Sequence, residues 1–271
     1  MISDQITIVV RGGGDIATGS IYRLCKAGFS IVVLEIEKPR VVRRAVAAAQ
    51  CVYVDQHVVE GIAFQQIDIG GIKSVSAGII PVIVDPTGQT IDEVNPNIVI
   101  DARMLKRNID SSCDLADLVV GLGPGFIVGD NCDIVVETQR GHNLGRVYSD
   151  QGSSAISDTG VAEQLNGYSS ERVLRAPCAG IIQSKAIIGD MVLEGEIIAS
   201  VSGKEVLSPF TGVLRGLIQT GLKVHEYDKI GDIDPRGIKE YCFQISDKSL
   251  AIGGGVLEAA LTWMSKTRLQ R

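Results

Sequence analysis

Six short apolar runs rich in Val and Ile mark the first half of the chain, at residues 6–10, 31–36, 79–84, 98–101, 118–120 and 134–136. Each is bounded by Gly, Pro, Asn or Asp, which reads as strands, and their near-continuous hydrophobicity suits strands covered on both faces of a parallel sheet. Between the first two runs the apolar period changes to that of a helix over about 16–27, with Gly28 as its stop. The opening is therefore strand, glycine turn, helix, strand. Pro39 followed by Arg40-Val-Val-Arg-Arg-Ala-Val-Ala-Ala-Ala predicts a second helix with proline in its first turn. Residues 102–117 and 121–133 lack a period and leave the strand order open, and 149–171, rich in Ser, Gly and Asp, reads as a linker. Near the end, residues 241–245 suggest a strand. Gly253-Gly254-Gly255 then precedes a helix over 256–264, with Leu257, Ala260, Leu261 and Met264 on one face.

The second half carries an internal repeat with an offset of 32 residues, which pairs Pro177 with Pro209, Gly180 with Gly212, Gly189 with Gly221, Val192 with Val224 and Ile198 with Ile230. A half of about 30 residues buries too little surface to stand alone, so the two copies are expected to close into one β unit. Over 172–235 the pattern resembles the biotinyl/lipoyl-type barrel-sandwich hybrid. Carrier domains of that type hold a lysine in a Met-Lys-Met hairpin; here the sequence is Ser202-Gly203-Lys204-Glu205-Val206, and Lys204 reads as an exposed turn lysine. The fold class expected is α/β. It comprises a Rossmann-like nucleotide-binding domain over 1–165, a smaller all-β barrel-sandwich-hybrid domain over 172–235, and a segment 236–271 whose helix packs back on the first domain.

The glycine turn is the first candidate for chemistry. Gly12, Gly14 and Ala17 of Gly12-Gly13-Gly14-Asp15-Ile16-Ala17 fit the G-x-G-x-x-G/A fingerprint between a strand and a helix, where free amides and the helix dipole face a diphosphate. Glu35, ending the next strand, stands where an acid can bond a ribose hydroxyl. Asp15 would repel a diphosphate unless it turns aside as the helix N-cap. The alternative reading is a glycine turn kept for tight strand-to-helix packing. A second candidate is Arg140-Gly141-His142-Asn143-Leu144-Gly145-Arg146, where Arg140, His142 and Asn143 can grip a carboxylate or phosphate, against the plain reading of a solvated turn. Gly121-Leu122-Gly123-Pro124-Gly125-Phe126 and Asp101-Ala-Arg103-Met-Leu-Lys106-Arg107-Asn108 also follow strands, and the latter reads as a charged surface helix.

A net charge of −6 with pI 5.2 argues against nucleic-acid binding, which needs concentrated basic surface. No run approaches the roughly 18 apolar residues of a membrane span, and Met-Ile-Ser-Asp-Gln is not a leader; the expected compartment is the cytoplasm. Cys25, Cys51, Cys113, Cys132, Cys178 and Cys242 show no CxxC spacing, and His57, His142 and His225 are scattered, so no metal site is expected. Gly-x-Ser-x-Gly, Walker and His-Glu-x-x-His signatures are absent.

Taken in order, residues 10–19 (VRGGGDIATG), 34–39 (LEIEKP), 81–86 (PVIVDP), 120–126 (VGLGPGF), 137–147 (ETQRGHNLGRV) and 252–259 (IGGGVLEA) resemble the YqeB-type accessory proteins of selenium-dependent molybdenum hydroxylases, across nearly the whole chain. The resemblance implies a maturation factor that handles selenium, sulfur or the molybdenum cofactor, with a hydroxylase subunit or other maturation proteins as partners. The expected ligand is a nucleotide or dinucleotide, NAD(P) or molybdopterin dinucleotide, at Gly12–Ala17. Two alternatives stand beside it: an NAD(P)-dependent oxidoreductase, and a non-catalytic scaffold docking a hydroxylase subunit. Self-association is left open.

Overall fold

The computed structural model describes residues 6–157 and 167–269. The expected lack of a leader at residues 1–5 and the middle of the 149–171 linker lie outside the described residues. The chain forms two units, one of Met1–Glu37, Ala48–Thr159 and Ile245–Arg271, the other of Lys38–Ala47 and Gly160–Gln244.

In the first unit the elements are β1 (Thr7–Arg11), α1 (Asp15–Lys26), β2 (Ser30–Glu35), α2 (Cys51–Val54), β3 (Gln56–Val59), β4 (Ile62–Gln66), β5 (Ile79–Val84), α3 (Thr90–Val94), β6 (Ile98–Asp101), β7 (Leu118–Leu122), β8 (Ile134–Val136) and β9 (Val147–Tyr148). One nine-stranded sheet runs β3-β4-β5-β2-β1-β6-β7-β8-β9. The strands from β4 to β8 are mutually parallel, while β3 and β9 pair antiparallel at the two edges. From β1 the chain builds outward through β2 and β5, then returns and builds the other way through β6, β7 and β8, so the order reverses between β1 and β6. The parallel centre is buried on both faces, with Ile8, Val9, Val10, Ile98, Val99 and Ile100 all at 0% exposure.

The expected fold class does not describe this molecule. Among the described residues only α1 is a full crossover helix. The chain from β2 to β5 runs through 3-10 turns, the four-residue α2 and the β3–β4 hairpin, that from β5 to β6 through the five-residue α3, and those to β7 and β8 through loops with one 3-10 turn. The unit is mostly sheet with few helices, and the regular alternation of a Rossmann-like domain is absent. The helix expected after Pro39 is replaced by 3-10 turns at Arg44–Val46 and Ala48–Gln50. In this stretch Arg43 donates to the Tyr241 and Gln244 carbonyls at 2.9 Å and Arg44 to the Leu217 carbonyl at 3.0 Å, so its arginines bind distant backbone rather than line a solvated helix face.

The C-terminal helix α4 (Asp247–Leu269) starts nine residues before the expected position and contains the three glycines. Its buried face is Ile252, Val256, Ala259, Ala260 and Met264, and Leu261 is half exposed. The glycines stay helical because they are contacts. A β-carbon on Gly253 would strike the Gly19 carbonyl of α1, and one on Gly19 would strike the Ser249 carbonyl, so α1 and α4 cross backbone to backbone.

The second unit contains β10 (Val173–Arg175), β11 (Gly180–Ser184), β12 (Met191–Val192), β13 (Ile197–Val201), β14 (Lys204–Leu207), β15 (Gly212–Leu217), β16 (Lys223–Val224) and β17 (Lys229–Asp234). The 32-residue offset relates β10–β13 to β14–β17 strand by strand. The expected single closed barrel-sandwich hybrid is replaced by two antiparallel four-stranded sheets, β10-β17-β15-β12 and β14-β13-β11-β16, each with two edges. Every sheet takes two strands from each copy, because the two-residue β12 and β16 pair with β15 and β11 of the opposite copy. Lys204 is exposed and opens β14 opposite Val201, after a turn in which Ser202 and Gly203 both have positive φ. Among the described residues no helix is long and apolar enough to cross a membrane.

Candidate functional site at the carboxyl edge of the sheet

Parallel strands deliver their carboxyl ends to one edge, and a reversal of strand order opens a crevice there. At this reversal β1 ends on Arg11 and β6 on Asp101, paired in register. Arg11 is 3% exposed and Asp101 1%. Arg103 grips the Asp101 carboxylate with two nitrogens, at 3.0 and 2.6 Å, and the Ser111 hydroxyl donates to it as well. Asp110 lies across both cations. Arg11 Nη2 donates to its Oδ2 at 2.8 Å, and Arg103 Nη2 to its Oδ1 at 2.5 Å. Burial works to raise the Asp110 carboxyl, but the two arginines overcome it and hold the group at about 2. The segment expected as a charged helix is an irregular loop, with Met104 and Lys106 at φ of 57° and 63°.

The glycine turn abuts this cluster. Gly12 has φ of 94°, and a β-carbon there would stand 3.1 Å from the Arg103 Cα, so the position requires glycine twice over. The turn is engaged by its own chain. The Gly13 amide donates to Glu35 Oε2 at 2.8 Å, and the Gly13 carbonyl accepts from the Ala49 amide at 2.8 Å. Glu35 Oε1 accepts from the Ile36 amide; burial pushes the carboxyl up, and those two amide bonds offset part of the rise. Glu35 thus turns toward the loop, where the sequence suggested a ribose partner. Tyr53 of α2 is near it: its hydroxyl is pushed up to about 12, by burial first and by the Glu35 charge second. Helix α1 begins at Asp15 and its N-cap is Gly14, in extended conformation without a side-chain bond. Asp15 is therefore a first-turn acid, Ile16 is half-buried beside it, and Ala17 is buried in the core.

Beyond β5 the edge continues as a cleft of about 370 Å³, lined in part by Gln66, Asp68, Asp85, Thr87, Thr90 and Glu93. Asp85 accepts the amides of Thr87, Gly88 and Thr90, which fixes the turn that brings Gly88 against the Arg11 guanidinium.

The other sequence candidates follow β8, three strand spacings from β1, or about 14 Å. Arg140 makes a two-nitrogen pair with Asp247 of α4, at 2.6 and 2.7 Å. His142 is exposed, and the Asn143 carbonyl accepts the Arg146 amide. The structure places these residues on the same edge as the glycine turn but not beside it. The glycines of 121–125 serve packing, since β-carbons on them would strike Phe126, Thr138 and the Arg107 backbone. Among the described residues no group of His, Cys, Asp and Glu could hold a metal ion.

Sequence reasoning missed Arg11, Asp110 and Tyr53, and took Asp101 and Arg103 as part of a charged surface helix. A signal for Arg11 was present, in that a charged residue closes a fully apolar parallel strand and so sits at its carboxyl end.

No family model matches the chain. Among solved structures it overlaps an aspartoacylase family protein from Mesorhizobium loti (7% identity, 84% of each chain, TM-score 0.27). It likewise overlaps a succinylglutamate desuccinylase/aspartoacylase from Rhodobacter sphaeroides (14% identity, 84% of this chain and 85% of that one, TM-score 0.28). Overlaps this slight assign no chemistry. In sequence the chain is 45% identical over 260 residues to the uncharacterized protein YqeB of Escherichia coli (strain K12). The match takes in 95% of this chain and 48% of that protein, so the chain spans about half the length of its curated relative. That similarity supports a YqeB-type family for this chain over nearly its whole length.

Proposed function

We propose that the chain binds a phosphate-bearing, nucleotide-like ligand at the carboxyl edge between β1 and β6, and that it acts in the cytoplasm as an accessory protein in maturing a selenium-dependent molybdenum hydroxylase. The observation that carries the binding reading is the convergence of Arg11 and Arg103 on one carboxylate, Asp110, beside the Gly12–Gly14 turn. Paired guanidiniums match the oxygens of a phosphoryl group, and the start of α1 adds favourable dipole. The neighbouring 370 Å³ cleft, lined by Ile67, Ile69, Ile83 and Val84 as well as by hydroxyl, amide and carboxylate groups, is of the size that small-molecule sites have and suits a base or pterin ring with its polar edge. A dinucleotide is long enough to reach from the glycine turn toward His142 and Asn143. The hydroxylase role rests on the resemblance of the motif strings, with molybdopterin dinucleotide as the ligand that would join the two parts.

The test is a titration of the purified chain with NAD, NADP, mononucleotides and a pterin nucleotide, followed by hydrogen exchange. One of them is expected to protect residues 12–17 and 85–90 and to raise Tm, as a ligand specific to the folded state must. Absence of protection at those residues with every nucleotide at millimolar concentration would sink the proposal. The nicotinamide oxidoreductase is disfavoured by Glu35, whose carboxylate is spent on the Gly13 and Ile36 amides.

A further inference from the structure

Asp110 differs from the residues that hold it. The Arg11 and Arg103 side chains are 4% and 17% exposed, whereas that of Asp110 is 40% exposed. The two cations are fixed from behind: Arg11 ends a core strand, and Arg103 is locked to Asp101 by two side-chain bonds. Asp110 comes from the solvent side, on the loop that contains the left-handed Met104 and Lys106, a conformation that costs a non-glycine residue free energy. Its position is set by a small turn, in which the Asn108 side chain bonds both the amide and the carbonyl of Ser111. The carboxylate therefore bridges two buried cations from the solvent side, as the most exposed member of the cluster.

We infer that Arg11 and Arg103 form an oxyanion clamp, that the Asp110 carboxylate is its internal occupant, and that a phosphoryl group of the ligand takes that place. This rests on the reading above and names the atoms that would hold the ligand's charge. With Asp110 withdrawn, Arg11 and Arg103 face Asp101 alone, and the clamp carries one net positive charge into a partly buried setting. An oxyanion in the place of the carboxylate neutralises that charge and offers its oxygens to both guanidiniums. Arg103 Cα lies against Gly12, so a second phosphoryl group would reach toward the turn and the start of α1. The occupant makes binding conditional: ligand must compete with a tethered carboxylate, which lowers its apparent affinity by the fraction of chains in which the clamp stands open.

The experiment uses inorganic pyrophosphate and the full chain at constant ionic strength, by calorimetry. Asp110→Asn, which keeps the shape and removes the charge, is expected to bind pyrophosphate roughly tenfold more tightly than the parent. Adding Arg103→Lys should abolish the gain, since an ammonium cannot span two oxygens as a guanidinium does. In the parent chain, pyrophosphate should speed hydrogen exchange over residues 104–110 as the loop is displaced, a readout that needs no variant. Equal affinity in Asp110→Asn, a gain that survives Arg103→Lys, or unchanged exchange at 104–110 under saturating pyrophosphate overturns the clamp. If a nucleotide protects residues 12–17 while pyrophosphate ignores Asp110, the clamp falls and the nucleotide reading stands. If pyrophosphate follows the clamp and no nucleotide binds, the clamp stands and that reading falls.

Discussion

Asp85 takes three backbone amides and the Thr87 hydroxyl on its two oxygens, so its carboxyl sits at about 2 even though burial alone would raise it. Asp110 sits at a similar value through its arginines. For both, the folded-state value lies below the ordinary 3.8. Their stabilisation is therefore complete above about pH 4 and is lost as pH falls toward 2. Glu35 has the opposite sign: its raised value means that it favours the folded state most below its ordinary range and loses that contribution as pH rises through the folded value. Urea unfolding between pH 6 and pH 2 should show a fall in stability below pH 4 that is shallower in Asp85→Asn. An identical slope in that variant would mean the turn holds without the charge. Glu137 offers a second residue-scale test. It is fully buried and accepts the Gln139 and Ile156 amides at 2.7 and 2.8 Å. Glutamine has only one oxygen for those two donors, so Glu137→Gln is expected to cost about 1–3 kcal/mol in chemical denaturation.

At the scale of elements, the glycines of α4 separate packing from propensity. Gly253 meets the Gly19 backbone, whereas Gly254 is exposed and a β-carbon on it would meet nothing within 4 Å. Gly254→Ala should therefore stabilise by about 0.5–1 kcal/mol, by lowering the chain's unfolded entropy and raising helix propensity. Gly253→Ala, one position away, should destabilise by about 1–3 kcal/mol through forced separation of the two helices. Thermal unfolding of the pair decides it, and equal effects would refute the close crossing. The same glycines explain what could be read beforehand. The strands at 79–84, 98–101 and 134–136 were legible because burial on both faces leaves runs made almost wholly of Val and Ile. Helix α4 was misjudged at its start because three glycines in a row look like a break until a partner backbone is known. The stretch after Pro39 reads as a helix because buried alanines copy a helical stripe, whereas the Arg43 and Arg44 side chains bind carbonyls far along the chain. The site was legible in part. Gly12 follows β1 and Glu35 ends β2, which the strand pattern indicates, but the binding of Glu35 to Gly13 needs coordinates, and Asp110 is reached only through an aperiodic loop.

At the scale of the molecule, the 32-residue repeat shows how a duplication can commit two copies to each other. Strands β12 and β16 have two residues each, too short to stand as edges of a private sheet, and each completes the sheet whose inner strands come from the other copy. Val192 of the first copy pairs with Gly212 of the second, and Lys223 of the second with Ile181 of the first. Damage in one copy should thus appear in its neighbour. Val192→Pro removes a backbone donor and a fully buried side chain from β12. Hydrogen exchange is expected to quicken in β15 and β17, residues 212–217 and 229–234, which belong to the second copy, while β11 and β13 of the mutated copy keep their protection. The reverse pattern, opening in β11 and β13 with β15 intact, would mean that each copy is its own cooperative unit. Strand pairing makes that outcome costly, because β11 and β13 share no ladder with β12, whereas β15 loses its edge partner when β12 detaches.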